Sequence, residues 1–100
     1  MTKRNLNSMI EFPKEGIYSK VVADTEKEKV VIFAMPEGEY LSPHTSAMEA
    51  TVYSIQGTAD WTLAEESFTA EPSDWFLMPE KSLHSVKASS PYVFLLTLHK

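Results

Sequence analysis

The chain has 100 residues, of which 43% are hydrophobic and 23% are charged, a balance typical of one folded domain with a single modest core. Its formal net charge of -5 disfavours nucleic acid and anionic membranes as partners, because both require a basic face. The absence of cysteine excludes disulfides, thiolate metal sites and a thiol nucleophile.

Residues 1–15 are expected to form an N-terminal arm that precedes the folded domain. The arm has no apolar run of the kind that a signal peptide needs, and no segment of the chain reaches the ~20 apolar residues that span a bilayer. A soluble, cytoplasmic protein is therefore the simplest expectation. Residues 8–11 fit a capping box, but the proline that follows allows no more than about one turn. Met9, Ile10 and Phe12 must then be buried elsewhere, for example on a neighbouring subunit.

After the arm, the chain shows the two-residue alternation of β-strands, interrupted by polar turns and by glycine or proline. The pattern predicts short strands over residues 17–24, 29–35, 50–56, 58–63, 67–70, 75–78, 84–87 and 92–98. No window keeps a helical period. Short strands at close spacing are typical of an antiparallel barrel or a double-sheet jelly roll. We therefore predict an all-β, antiparallel single domain over residues 16–100.

Two segments, residues 30–35 and 93–98, are apolar on both faces. Such strands must be covered on both sides, by a second sheet or by another chain. Together with the apolar arm, this pattern predicts a homodimer, the commonest oligomer. Trp75 and Phe76 have opposite parity in their strand, so one faces the interior and the other does not; the sequence leaves open which.

Two stretches of the chain each carry one interior histidine. His44 lies between Gly38 and Gly57, and His84 follows Pro79. These spacings resemble the two short motifs of the cupin superfamily, and the likeness extends from about residue 17 to the end of the chain. The version found here is similar to small single-domain cupins, so the resemblance implies a cupin-like jelly-roll barrel.

The chain departs from both family motifs at several positions. In the first motif, Ser46 and Ala50 stand where the family has a second histidine and a glutamate. In the second motif, Ser73, Lys81 and Ala88 stand where the family has glycine, glycine and asparagine.

The resemblance implies a metal site built from two histidines and a glutamate of the first motif and the histidine of the second. In a strand, residues 44, 46 and 50 share a face, so all three are expected to point into the barrel. The expected ligand pocket therefore contains His44, Ser46, Ala50 and His84. Only His44 and His84 remain as metal ligands, an incomplete site for Fe, Mn, Ni or Zn, because two imidazoles alone do not hold such a metal tightly.

Three functions remain open from the sequence. In the first, the barrel binds a small molecule around His44 and His84, and the histidines contact or exchange a proton with it. In the second, the protein is a metal-dependent oxygenase, isomerase or lyase in which both histidines are ligands. In the third, the barrel serves mainly to assemble with another chain.

Overall fold

Nine antiparallel strands account for most of the computed structural model, which describes residues 3–100. The predicted all-β class is confirmed. The only helical element in the described residues is a 3-10 helix, Leu6–Met9, and no helix there is long and apolar enough to cross a membrane. The strands are β1 (Tyr18–Asp24), β2 (Glu28–Met35), β3 (Tyr40–Thr45), β4 (Glu49–Gln56), β5 (Ala59–Leu63), β6 (Glu66–Ala70), β7 (Trp75–Met78), β8 (Leu83–Ala88) and β9 (Tyr92–His99).

The strands form two sheets that pack face to face, as in a double-sheet jelly roll. The five-stranded sheet has the order β1-β2-β9-β4-β7, and the four-stranded sheet has the order β3-β8-β5-β6. Their inner faces enclose one core, whose largest buried side chains include Met35, Val52, Trp61 and Phe94. Each predicted segment coincides with an observed strand, but β3 was not predicted.

The two strands that are apolar on both faces, β2 and β9, pair side by side inside the five-stranded sheet. On the inner face, Phe33 stacks on Phe94 with ring centroids 4.8 Å apart. On the outer face, Ile32, Ala34 and Val93 form a second buried cluster. Both faces are therefore covered within this chain, the inner one by the second sheet and the outer one by the N-terminal arm.

The described part of the arm, from residue 3 onward, lies across the outer face of the five-stranded sheet. Leu6, Met9 and Ile10 pack against the second cluster. The arm makes a single short turn, as the sequence allows, but the 3-10 helix begins after Asn5 and not after Ser8, and the Asn5 side chain accepts a hydrogen bond from the Ser8 N–H. The short polar side chain of Asn5 supplies the cap one turn earlier.

Replacing Met9 and Ile10 together by serine should destabilise the fold, because the change uncovers the apolar outer face of the sheet. Both side chains are half-buried, so we expect the free energy of unfolding to fall by about 2 kcal/mol. Urea denaturation measures the loss. Phe12→Ser is the matched control, since Phe12 is 37% exposed and should cost much less. Equal losses in both variants would show that the arm does not cover the sheet as described.

Candidate functional site at the histidine pair

His44 and His84, here called the histidine pair, face each other on neighbouring strands. The register of β3 and β8 places their Cα atoms opposite one another, and the ring centroids lie 4.1 Å apart with an interplanar angle of 66°. His84 is buried, with 6% exposure, whereas His44 is exposed. One ring is thus fixed in the barrel wall and the other borders solvent.

A β-bulge in β3 brings His44 to the inner face. Leu41 pairs with Val86 and His44 pairs with His84, so Ser42 and Pro43 together oppose a single residue of β8. Pro43 has no N–H to donate, and it is tolerated here because β3 is an edge strand and the bulge leaves it unpaired. The extra residue allows both Leu41, which packs on the core, and His44 to face the same side.

Main-chain carbonyls hold both imidazole rings. The Nδ1 atom of His44 lies 2.7 Å from the Ser42 carbonyl oxygen, and that of His84 lies 3.2 Å from the Ser82 carbonyl oxygen. A carbonyl oxygen only accepts, so each Nδ1 carries the proton and donates. The Nε2 atom of each neutral ring is then a hydrogen-bond acceptor that a ligand can use.

Burial and the neighbouring ring keep His84 uncharged. Burial lowers the pKa of His84 below its ordinary value of 6.5, and the charge that His44 can carry lowers it further. The hydrogen bond to the Ser82 carbonyl acts in the opposite direction but is the smallest effect. His84 therefore presents a neutral, oriented acceptor near neutral pH.

The lowered pKa of His84 should make stability fall on the acidic side of neutrality. In the unfolded chain His84 binds a proton as the pH drops through its ordinary pKa of 6.5, whereas in the folded chain it does so only at lower pH. The unfolded state then binds more protons, so stability is complete above pH 6.5 and is lost progressively below it.

Urea denaturation at several pH values, with His84→Gln and the control His99→Gln, measures this dependence. Below pH 6.5, the slope of the free energy of unfolding against pH should flatten in His84→Gln. The slope should persist in His99→Gln, whose side chain is exposed. An unchanged slope in His84→Gln would contradict the electrostatic assignment.

Ser46 and Ala50 do not share a strand with His44, contrary to the sequence prediction. The chain leaves β3 at Thr45 and enters β4, in the other sheet, at Glu49. Ser46 lies in the connecting turn, where its Oγ accepts from the Met48 N–H at 3.2 Å and its carbonyl accepts from the Lys81 N–H at 2.7 Å. Ala50 is fully buried in the core of the barrel. Ala50 therefore points into the barrel as predicted, whereas Ser46 lies in a turn, because the motif crosses between two sheets and is not one continuous strand.

The residues at the histidine pair do not fit a resident divalent metal. Within residues 3–100, no group of three or more His, Asp or Glu side chains is arranged to hold a metal ion. Glu49, the carboxylate nearest in sequence to the altered motif position, is exposed and pairs across the strand with His99. Two neutral imidazoles without a carboxylate are a weak donor set for such a metal.

Apolar side chains continue the inner face beside the histidine pair. Leu63 is the cross-strand partner of His84, and Ala50 lies between Met78 and Leu98 in the opposite sheet. A groove of about 670 Å³ opens at this end of the barrel and is lined by Leu63, Ala64, Glu65, Glu66, Leu77, Pro79 and Ser82. The groove beside the histidine pair is thus lined by apolar side chains together with two carboxylates and a serine, and its lining does not include the two histidines.

Phe76, and not Trp75, faces the interior. Phe76 contacts Trp61 and Phe68 with ring centroids 4.9 Å away in both cases, whereas Trp75 is 60% exposed. The alternation in the sequence could not distinguish the two, because either choice places one aromatic side chain inside the barrel and the other outside.

Two motif positions that lack the family glycine keep a backbone conformation that favours glycine. Ser73 has φ 75° and Lys81 has φ 65°, both in the left-handed region. A side chain there costs about 1 kcal/mol relative to glycine. The local backbone of the second motif has been retained although its glycines are absent.

Lys81→Gly should therefore raise the free energy of unfolding by about 1 kcal/mol, as a strained side chain is removed. Thermal or urea denaturation measures the gain. Glu80→Gly in the same turn is the control, since Glu80 is not among the described residues with positive φ and should gain nothing. A loss of stability in Lys81→Gly would show that the lysine side chain has a compensating contact.

A buried polar cluster in the core was not predicted. Tyr92 Oη lies 2.6 Å from Ser54 Oγ and accepts a hydrogen bond from Trp61 Nε1 at 3.1 Å, and all three residues are almost completely buried. Burial raises the pKa of the Tyr92 hydroxyl, so it stays protonated. The sequence signal was Ser54, a polar residue at an inward position of an otherwise apolar alternation.

The chain is similar to known proteins in structure, although not in sequence. No protein-family model matches the chain, and no curated protein sequence matches it. An RmlC-like cupin from Desulfovibrio desulfuricans is similar at 20% identity, with 99% of this chain and 96% of that one covered and a TM-score of 0.89.

Two further structures are similar. A cupin superfamily protein from Desulfitobacterium hafniense covers 94% of this chain at 20% identity, with 86% of its own length matched and a TM-score of 0.87. KdgF from Halomonas sp. covers 84% of this chain at 26% identity, with 80% of its own length matched and a TM-score of 0.79. Together with the two antiparallel sheets and the positions of both motifs, these likenesses show that the chain has the fold of the small cupins.

Proposed function

We propose that the protein binds a small molecule at the histidine pair, through the Nε2 atoms of His44 and His84. The observation that carries the proposal is the arrangement of the two rings, in contact across β3 and β8 with both Nδ1 atoms facing main-chain carbonyls. Each carbonyl orients its ring, so the Nε2 positions are held before a ligand arrives. Such preorganisation reduces the entropy lost on binding.

The two rings have different parts in this proposal. His84, buried and neutral, accepts a hydrogen bond from a hydroxyl or N–H of the ligand. His44, which borders solvent, offers its Nε2 atom to the ligand from the open side of the site. The apolar residues of this end of the barrel, such as Leu63, accommodate the non-polar part of the ligand, as is usual for small-molecule sites.

The alternative, a metal-dependent enzyme with His44 and His84 as ligands, has less support. Its third ligand would have to come from water or from the bound molecule, because residues 3–100 offer no carboxylate to the pair. Elemental analysis of the purified protein and of His44→Ala and His84→Ala distinguishes the two functions. About one metal per chain, lost in both variants, would favour the enzyme and would overturn the metal-free proposal.

A screen of small hydroxylated and aromatic compounds by thermal shift tests the binding proposal. Compounds that stabilise the protein should lose their effect in His44→Ala and in His84→Gln, and they should keep it in the control His99→Gln. NMR of the imidazole nitrogens should show the Nε2 signals moving on binding and the Nδ1 signals moving less. Hits that bind both histidine variants as well as the parent chain would show that the pair is not the site.

We also propose a homodimer formed through β1, the edge strand of the five-stranded sheet. The apolar outer face of β2 and β9 does not support a dimer, since the arm of the same chain covers it. What supports it now is β1, which has no second strand beside it in the described residues and whose Val21 is 47% exposed, although Arg4 of the arm donates a hydrogen bond to the Val22 carbonyl. An exposed edge strand is a template for pairing with a second copy.

Sedimentation equilibrium tests the dimer. Val21→Lys, which places a charge on this edge, should shift the protein to monomer at micromolar concentration. Leu83→Lys is the control, because Leu83 is similarly exposed but lies in the other sheet. A parent chain that sediments as a monomer, or a Val21→Lys variant that stays dimeric, would contradict the proposal.

A further inference from the structure

The Nε2 atom of His84 is an acceptor without a partner in an almost completely buried residue. Only 6% of His84 is exposed, and the hydrogen bond that its ring makes within the described residues joins Nδ1 to the Ser82 carbonyl oxygen. Among residues 3–100, no buried side-chain nitrogen or oxygen is left without a hydrogen-bond partner. Since Nε2 has no such partner, it belongs to the small part of the residue that solvent reaches. A ligand that approaches this opening meets a single polar atom of His84.

Both rings of the histidine pair present the same kind of group. The Ser42 and Ser82 carbonyls occupy the Nδ1 hydrogens, so the neutral rings of His44 and His84 each keep a lone pair at Nε2. The ring centroids are 4.1 Å apart, which places both Nε2 atoms within reach of one small molecule. The pair therefore offers two acceptors and no donor. A ligand that satisfies both must bring two donors.

The groove beside the pair offers nothing that would attract an anion. Its lining in the described residues includes Glu65 and Glu66 but no lysine or arginine, and Lys81, although close in the chain, is not part of it. The one hydroxyl of the lining, Ser82 Oγ, already donates to the Pro79 carbonyl at 2.6 Å. The two carboxylates and the net charge of -5 repel negative charge. A carboxylate or phosphate is therefore disfavoured where a hydroxyl is accepted.

We infer that the histidine pair selects an uncharged ligand with hydroxyl groups on two adjacent carbon atoms, a vicinal diol. The inference rests on the proposed function and adds the chemical class of the ligand. One hydroxyl donates to Nε2 of His84 and the other to Nε2 of His44. Leu63, the cross-strand partner of His84, borders the hydrocarbon side of the ligand. A ligand with acceptors alone leaves both nitrogen lone pairs unsatisfied and loses affinity.

Four cyclohexane compounds of similar shape test the inference by NMR titration at about pH 8, where a histidine with a pKa of about 6.5 is neutral. They are the vicinal cis-cyclohexanediol, its dimethyl ether, cyclohexanol and cyclohexanecarboxylate. The diol should bind about fivefold more tightly than cyclohexanol, because it makes one more hydrogen bond. The diether and the carboxylate should bind at least about tenfold more weakly than the diol, because neither donates.

One variant and one spectrum test the assignment of the two acceptors. His44→Lys replaces an acceptor by an ammonium group, which only donates, so it should weaken the diol about fivefold and strengthen the carboxylate. His99→Gln, at the exposed end of β9, is the control and should change neither affinity. Long-range proton–nitrogen correlation spectra of the ligand-free protein should show each ring proton on Nδ1. Thermal denaturation verifies that both variants are folded.

The contrary outcomes separate this inference from the proposed function. Equal affinities of the diol and its diether, or a carboxylate that binds as tightly as the diol, would overturn the diol assignment and leave binding at the pair intact. A ring proton on Nε2 of either histidine, or no binding of the diol at high millimolar concentration, would also overturn it. The proposed function fails on a different result, when compounds found by thermal shift are unaffected by His44→Ala and His84→Gln.

Discussion

Gly57→Ala should leave little folded protein. Gly57 makes the turn between β4 and β5 with φ 77°, and a Cβ atom there would overlap the carbonyl oxygen of Pro91 and lie 2.8 Å from its carbonyl carbon. The colliding atoms belong to the backbone, so no side-chain rotation relieves the contact. The left-handed backbone strain of an alanine alone costs about 1–2 kcal/mol. The overlap adds to this strain, so we expect the free energy of unfolding to fall by about 4 kcal/mol or more. Circular dichroism with urea denaturation measures it.

Gly38→Ala is the matched control for this change. Gly38 has φ 88°, yet a Cβ atom there would meet nothing within 4 Å. In Gly38→Ala the free energy of unfolding should therefore fall only by the left-handed backbone strain, about 1–2 kcal/mol. Similar losses in the two variants would show that the approach of Pro91 to Gly57 is not a determinant of stability.

Tyr92→Phe should lower the free energy of unfolding by about 3 kcal/mol. The change removes the hydroxyl that accepts from Trp61 Nε1 and that pairs with Ser54 Oγ. Both partners are buried and would be left without a hydrogen bond in a site that water does not reach, at a cost of about 1–3 kcal/mol for each group. Urea denaturation at neutral pH measures the loss.

Two further variants separate the hydrogen bonds from simple loss of an atom. Tyr53→Phe removes a hydroxyl from a tyrosine that is 40% exposed and should cost little. Adding Ser54→Ala to Tyr92→Phe should recover part of the stability, since one unsatisfied group disappears. If the double variant were less stable by the full sum of both single changes, the two hydroxyls would not be acting as one cluster.

The fold class could be predicted because alternation in most strands is strong. β4 alternates, β2 and β9 are apolar on both faces, and polar turns separate the strands. The predicted ends of these strands therefore lie close to the observed ones. β3 was missed because its sequence is polar, contains Pro43 and lies at the edge of its sheet, where little apolar patterning is needed. Long-range pairing decides its conformation.

The candidate site was predicted only in part. The motif spacing identified His44 and His84, and the structure brings those two rings together. The motif spacing did not reveal the bulge at Ser42 and Pro43 or the change of sheet before Ala50, because both depend on pairing with residues that are distant in the chain. Parity within a continuous strand therefore gave the wrong surroundings for Ser46.

The N-terminal arm shows a different limit of sequence reasoning. Its apolar residues were recognised, but the surface that buries them could not be identified from the pattern. The cluster of Ile32, Ala34 and Val93 is assembled from strands that are distant in the chain, and only the sheet order puts them side by side. An intermolecular contact and an intramolecular one have the same sequence signature.

The position of β9 determines when this chain can fold. β9 comes after the other eight strands in sequence, yet it lies at the centre of the five-stranded sheet, between β2 and β4. Without residues 92–99, β1–β2 and β4–β7 are separate pairs with exposed apolar faces, and short pairs of strands are only marginally stable. The five-stranded sheet can therefore close only once β9 is available. That step joins residues that are distant in the chain, and such folding is slow.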